Sequence, residues 1–442
     1  MKAHDVAPAD LPIVATPSAN GTKPADGGWP ERLEEAAFHG PAGTFVEKIL
    51  PHSEADPAAL RGQYLAAAGN LFGAGAYHSV EADQHPARLW VAIVGATSKA
   101  RKGSSWSRVR SVAAEVEPSW AERIAGGLAS GEGPLWAVRD PIYKTVKKKG
   151  TNPLDDDEWV EELADPGVSD KRLLVVENEL ARVFDVIARS GSTLSATLRS
   201  LWDGGTVSSL SKNAPFKSTH PHLSAIGHIT AEELRMRLAD GEIWNGLANR
   251  LILIAARRSK LLPHGSEVDP DVLARLQGSL IHSVREAHRR PGRIGWSDKA
   301  SKRWAKIYEE LSSERPGLLG AVLARAEAQT VRLSVCYALL DTSERIEVPH
   351  LEAALAVWRY AERSAQWVFA DATGDSTVDS IREALRNAGE KGVSRTEMRD
   401  MFGRNMSVHE IERGLGFLLF KGWARRESIE TGGRPEERWF AV

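Results

Sequence analysis

Apolar residues along this chain recur with two periods. In "DPAALRGQYLAAAGNLFG", from Asp56, they fall at helical spacing, with Asp56 suited to cap the start and Gly73 to mark the end. "AYHSVEA" and "ARLWVAIVG" are apolar runs of strand length joined by the polar "DQHP", and the second runs into Gly95. An amphipathic helix is expected from Ser107 to about Leu128. Four further strand-length runs follow, "PLWAVRD", "KRLLVVENEL", "HPHLSAIGHIT" and "ANRLILIAARR", with helix-patterned stretches such as "ELARVFDVIARSGSTLSATLRSLW" and "AEELRMRLADG" between them. Strands alternating with helices predict an α/β fold with a mainly parallel sheet and flanking helices, whose ligands bind at the carboxyl ends of the strands.

Outside that alternation the pattern changes. Residues 1–30, rich in Pro, Ala, Gly, Asp and Ser, have no apolar period and are expected to be a disordered leader. Residues 31–88 are expected to be a helical and hairpin segment packed on the core of residues 89–265. Residues 266–372 are helical throughout and form a lid or bundle. The final unit, 373–442, reads as three helices, the second opened by Ser394 and the third by Ser407, and then two short strands about a Gly-Gly-Arg-Pro turn, the pattern of a winged helix. No repeat of 20 to 50 residues is visible.

Composition narrows the function classes. A net charge of -2 argues against a polybasic coat, so any nucleic-acid contact must come from local patches. The single cysteine, Cys336, precludes an intrachain disulfide or a Cys-clustered zinc site. Neither a secretory segment nor a long apolar span is present, so a cytoplasmic protein is expected. Fourteen Trp residues point to aromatic packing or stacking surfaces.

The candidate chemistry begins at "VGATSKARKGSSW", residues 94–106. A phosphate loop places four residues between its Gly and a Gly-Lys-Ser/Thr, so that backbone amides cradle phosphate oxygens, the Lys neutralises charge and the hydroxyl holds Mg²⁺. Counted from Gly95, the Lys position holds Arg101, and Lys102 comes one residue later, followed by Gly103, Ser104 and Ser105. Thr97, Ser98 and Lys99 complete the candidate loop, with either Lys102 or Arg101 facing the phosphates at a helix N-terminus. Glu177 ends an apolar strand about 70 residues on, where a carboxylate can hold a Mg²⁺-bound or attacking water. Glu132 lies at a turn and is a second candidate to activate water. His228 follows a buried run and is placed to sense a γ-phosphate, and Arg250 is a candidate arginine finger. Lys212, Phe216 and Lys217 lie in a polar loop suited to DNA phosphates and bases, and Arg425 and Arg434 lie on the wing side of the last unit. "VKKKG" and the following acidic run read as a mobile insertion.

Taken in order, "VGATSKARKGSSW", "SGEG" with "WAVRD", "DKRLLVVENEL", "TLRSLWDGG", "HLSAIGHIT" with "EEL", "NGLANRLILI" and "VLARAEAQTVRLSVCYALLD" resemble a family of RecA-like P-loop ATPases of actinobacterial chromosomes, plasmids and prophages, related to primase-associated and replicative helicases. The resemblance covers about residues 40–345. It implies ATP and Mg²⁺ as cofactors, DNA and a replication protein as partners, and a homo-oligomeric ring, with a hexamer favoured. It also implies that Lys102 with Ser104 or Ser105 holds phosphate and metal, that Glu177 is the Walker B acid, and that Arg250 is the finger. The loop departs from the pattern in lacking Gly before Lys, and the acid is Glu rather than Asp. The alternative function is a non-catalytic DNA-binding initiator or regulator that uses a degenerate ATPase core as an oligomerisation scaffold.

Overall fold

The computed structural model describes residues 28–148, 158–209, 216–239, 246–315, 317–369, 376–402, 406–430 and 436–442. Five strands form an all-parallel sheet: β1 (Trp90–Gly95), β2 (Ile124–Ala125), β3 (Arg172–Glu177), β4 (His222–Thr230) and β5 (Ile252–Ala256), in the order β5-β1-β4-β3-β2. β1 and β5 are buried at every position. They therefore read in the sequence as continuous apolar runs, as strands covered on both faces must.

Two expectations differ from the structure. The polar "DQHP", expected as a join between two strands, is itself the strand Asp83–Pro86, antiparallel to Ala76–Val80 in a small sheet that also takes Gly292–Arg293 in parallel. "PLWAVRD" is not a strand: Glu132–Trp136 is a short helix, with Pro134 in the first turn, where its missing N–H costs no hydrogen bond. The edge position belongs instead to β2, within the stretch expected to be helical, because Pro118 prevents the helix that ends at Ala113 from continuing. With only two paired residues, β2 is too short to leave an apolar period.

In chain order the helices that carry the argument are α1 (Pro57–Phe72), α2 (Lys102–Ala113), α3 (Glu132–Trp136), α4 (Leu180–Ile187), α5 (Leu194–Asp203), α6 (Ala231–Ala239), α7 (Pro270–Arg289), α8 (Asp298–Leu311), α9 (Ala326–Leu340) and α10 (Val348–Phe369). As the sequence predicts, Asp56 caps α1 by accepting from the Ala58 amide, and Gly73 ends it with positive φ. Residues 58–72 of α1 are all buried. α1 covers one face of the sheet, where Gly62 lets the helix approach Val91 and Ile254. α4 covers the other, with Leu180 against Gly227, where a Cβ would clash. At the outer edge of β5, Ala255 donates its amide to Ser364 Oγ, and Tyr360 donates its hydroxyl to the Ala255 carbonyl, so α10 satisfies an edge that would otherwise be open. Among the described residues no helix is long and apolar enough to cross a membrane.

The last unit has its own core, built on Ile381, Leu385, Met398, Ile411, Leu415, Leu418 and Trp439. Its helices are α11 (Ser376–Ala388), α12 (Arg395–Met401) and α13 (Val408–Phe420). Ser394 with Glu397, and Ser407 with Glu410, form complete capping boxes at the two starts that the sequence marks. The strands Val393–Ser394, Glu436–Ala441 and Ala424–Ile429 form an antiparallel sheet in that spatial order.

Asn70 ties the layers together from within α1. Its side-chain amide donates to the carbonyls of Leu173 and His222, at the entrances to β3 and β4, and its oxygen accepts from Trp120 Nε1. Asn70→Leu removes all three bonds and leaves the buried Trp120 Nε1 without its acceptor. It is expected to reduce the unfolding free energy of the core by about 3 kcal/mol, at about 1 kcal/mol per lost bond, seen as a lower urea midpoint; a midpoint equal to that of the unmodified protein would refute the role.

Candidate functional site

β1 and β4 are neighbours whose chain continuations diverge. After β1 the chain crosses to β2 at one edge of the sheet; after β4 it crosses to β5 at the other. The crevice between their carboxyl ends is thus a topological switch point, the place where open α/β sheets bind ligands. Gly95 and Thr230, paired in register, mark its two walls.

The loop out of β1 is built around Gly95. A Cβ there would lie 2.7 Å from Ala100 Cβ, and 2.9 Å from both Lys102 Nζ and the Thr97 carbonyl oxygen, so only glycine fits. Thr97 accepts from the Lys99 amide and caps a single 3-10 turn over Ser98–Ala100; the side chain of Ser98 lies outside the described part. Arg101 then takes a left-handed conformation, φ +59 and ψ +30, and α2 begins at Lys102. The usual loop glycine is missing from the sequence, yet the backbone conformation that favours glycine is present at Arg101, at a cost of about 1 kcal/mol.

Lys102 and Arg101 point to different partners. Lys102 Nζ donates to the Thr97 carbonyl at 3.2 Å, so its ammonium lies over the loop. Burial holds its pKa below the usual range, while the Glu233 carboxylate opposes that shift. Arg101 reaches away, with Nε 2.6 Å from Glu54. No side chain caps the first turn of α2, which leaves the amides near Gly103 and Ser104 available to an anion. Ser104 is exposed in that turn. Ser105 is not: its hydroxyl donates to the Lys102 carbonyl at 2.6 Å and accepts from Gln63 Nε2 at 2.5 Å.

Gln63 connects the loop to His228. Its side-chain oxygen lies 3.0 Å from His228 Nε2, giving a buried line Ser105–Gln63–His228 from α2 through α1 to β4. His228 is 3 % exposed, and burial, aided by the Lys102 charge, lowers its pKa to about 4. At neutral pH it is an uncharged imidazole at the floor of the site. Beside it Glu233 accepts from the Thr230 amide and hydroxyl, which start α6, and these bonds with Lys102 keep its carboxyl below the usual range. Sequence reading missed both Gln63 and Glu233. Gln63 looks like an ordinary helix residue, although Thr230 followed three residues later by Glu233 is a capping-box signature that was available.

The remaining candidates are dispersed. Glu177 ends β3 beside Gly227, with Oε1 accepting the Leu128 amide at 2.7 Å. Glu132 is exposed in the first turn of α3. Arg250 sits at the amino end of β5, a strand's length from the loop, roughly 15 Å at about 3.3 Å per residue. There it is buried, makes two 2.8 Å bonds to Asp203, and lies over Trp202 beside Arg325 and Arg332. Phe216 packs edge-on against Trp136, ring centroids 5.4 Å apart, rather than standing free, while Lys217 is exposed in the hairpin strand Phe216–Thr219. Lys212 and Arg434 lie outside the described residues. Arg425 is paired with Glu427 along its own strand and lies over Phe440. Of "VKKKG", expected to be a mobile insertion, residues 146–148 lie in a second hairpin, Ile142–Lys148 against Glu158–Asp165, and residues 149–157 lie outside the described residues.

One further cluster has the composition of a metal site: His39, Asp341 and His350. Asp341 Oδ2 lies 2.5 Å from His39 Nε2 and 3.2 Å from His350 Nε2. His350 Nδ1, however, accepts the Glu347 amide at 2.9 Å, so in the neutral ring Nε2 carries the proton and donates to Asp341. A metal at Nε2 would need the opposite tautomer. The trio is therefore a hydrogen-bonded tie between the start of the helix Gly40–Ile49 and the α9–α10 junction.

Two measurements check these assignments. A chelator is expected to leave the thermal midpoint unchanged; a fall restored by Zn²⁺ would refute the hydrogen-bonded reading of the trio. For His228 the folded pKa lies below the unfolded value of about 6.5, so as pH falls from about 6.5 to 4 the unfolded chain takes up a proton that the folded one refuses, and stability drops. His228→Gln is expected to flatten that slope, by at most about 1.4 kcal/mol per pH unit, in urea titrations across the window; an unaltered slope would refute the buried neutral imidazole. No protein-family profile matches this chain, and a search of curated proteins finds no match.

Proposed function

We propose that this protein is a P-loop ATPase that acts on DNA. The observation that carries the reading is Lys102: its ammonium lies over the Gly95 loop at the uncapped start of α2, in the crevice between β1 and β4. Such an arrangement suits the triphosphate of ATP, with backbone amides and one cation meeting the phosphate oxygens. Gly95 leaves the space that a Cβ would fill, and Ser104, exposed in the first turn of the helix, suits a Mg²⁺ ligand. Glu177 keeps a second oxygen beyond its bond to Leu128, as a Walker B acid requires, and Glu132 and Glu233 are the other carboxylates for orienting water. The parallel sheet is compatible with a RecA-like core.

The same reading assigns the last unit to a cytoplasmic DNA-processing machine. Three helices followed by an antiparallel hairpin suit a winged helix. Oligomerisation into a ring, a hexamer by preference, would bring Arg250 of one subunit to the loop of the next, provided that its bonds to Asp203 give way. That requirement, together with the Leu128 amide on Glu177, favours a second reading, in which ATP is bound but not turned over and the core is an oligomerisation scaffold for a DNA-binding initiator.

Turnover with and without single-stranded DNA separates the two. On the first reading hydrolysis rises with DNA, and Lys102→Ala lowers ATP affinity roughly 10- to 100-fold, the worth of a charged hydrogen bond to phosphate, with turnover lost. Undiminished turnover in Lys102→Ala would refute the site. ATP binding without hydrolysis in the unmodified chain would select the second reading.

A further inference from the structure

At the amino end of the sheet, away from the Gly95 loop, the parallel pair Gly295–Trp296 and Arg345–Ile346 borders a cavity of about 560 Å³ that opens broadly to solvent. The volume suits one drug- or nucleotide-sized group. One wall is aromatic: Trp296 stacks on Trp304, with centroids 5.4 Å apart and planes 17° from parallel, and His78 meets Trp296 edge-on at 5.2 Å. The stack belongs to a small apolar cluster with Ile307, Leu351 and Leu355, which holds the indole rigid. His78 is fixed by its bond to the Ile294 carbonyl, and burial keeps its imidazole below the usual range, hence uncharged.

The charge at this cavity is positive and unbalanced. Arg293 and Arg345 both line it and are exposed, and among the described residues neither has a carboxylate partner. The one acid of the lining, Glu344, lies 3.7 Å from Arg290 and is offset by it. A smaller cavity of about 170 Å³ shares Arg293 and Glu344 with the first and continues past Gly292 and Ser343. Two unpaired guanidiniums beside a rigid aromatic wall suit a phosphate and its base together: the phosphate takes the forked N–H groups, and the base packs along the part of the indole that Trp304 and His78 leave uncovered. The open mouth and the continuation into the second cavity suit a chain running through, not an enclosed mononucleotide.

We propose that this cavity is a binding site for single-stranded nucleic acid, with one phosphate held by Arg293 and Arg345 and the adjoining base against Trp296. The inference extends the DNA-acting reading above. It assigns the strand contact to the amino end of the sheet, to residues other than the hairpin and wing cations.

The test is anisotropy of a fluorescein-labelled dT15 with the full chain, without ATP, from 50 to 200 mM KCl. Arg293→Ala/Arg345→Ala is expected to weaken binding at least tenfold and to reduce the salt slope by about 0.7, the worth of the one phosphate that the pair holds. The double Arg→Lys variant should recover the slope. Wild-type affinity and slope in a folded double Ala variant would overturn the site. Competition by thymidine monophosphate as strong as that by unlabelled dT15 would overturn the strand as its occupant. If the double variant binds like the unmodified chain while ATP turnover still rises with DNA, this site fails and the DNA-acting reading survives. If the unmodified chain does not bind dT15, the inference fails, and ATP turnover measured alone still judges the nucleotide site.

Discussion

A helix buried on every side must find a hydrogen-bond partner within the protein for each polar side chain that it carries, because none is left to water. α1 is such a helix, and its polar residues are few and deliberate in position. Arg61 donates to the Ala37 carbonyl and to Tyr337, joining the N-terminal segment to α9. Gln63 joins Ser105 to His228, and Asn70 joins β3, β4 and Trp120. The three contacts fall on three different layers, so the placement of one helix sets the spacing of the rest.

The candidate site inherits its geometry from that constraint. Ser105 is the fourth residue of α2, and its bond to Gln63 holds the first turn of that helix against α1. The Gly95 loop is then closed between a strand end and a fixed helix start, which leaves Lys102 over the loop and forces the left-handed turn at Arg101. Glu54 compensates by pairing with Arg101 and, at 3.6 Å, with Arg258, which follows β5. The loop thus tolerates a non-glycine residue where its backbone favours glycine, since the side chain has a fixed carboxylate to meet.

The two ends of the sheet divide the charged groups between them. At the carboxyl end Lys102 is the cation over the loop, opposed by Glu233. At the amino end Arg88, Arg250 and Arg332 surround Trp202 with Asp203 as the adjacent carboxylate; backbone carbonyls of Trp202, Pro221 and Arg88 accept from the terminal nitrogens of Arg88 and Arg332, while among the described residues the Nε of all three is buried without a partner. Burial depresses all three, Arg88 to about 10, which is the expected cost of holding cations away from water with too few anions.

Much of the sheet was legible in the sequence. β1, β3, β4 and β5 bury both faces, and continuous apolar runs of strand length have no other economical use in an α/β chain. Asp56, Ser394 and Ser407 were legible as caps because capping is settled within four residues. β2 was not, since a strand of two residues owes its existence to β3 beside it and leaves no period of its own. The loop was legible as a glycine-led, lysine-bearing turn between strand and helix. Which of Lys102 and Arg101 lies over it was decided only by Glu54 and Gln63, residues about 40 to 50 positions away that the fold brings to either side of the loop. The same holds for Arg250 and Phe216, whose apparent freedom in the sequence ends at Asp203 and Trp136. Local signals determine where elements begin and which faces are apolar; the orientation of a charged side chain depends on partners distant in sequence, and only the tertiary structure supplies them.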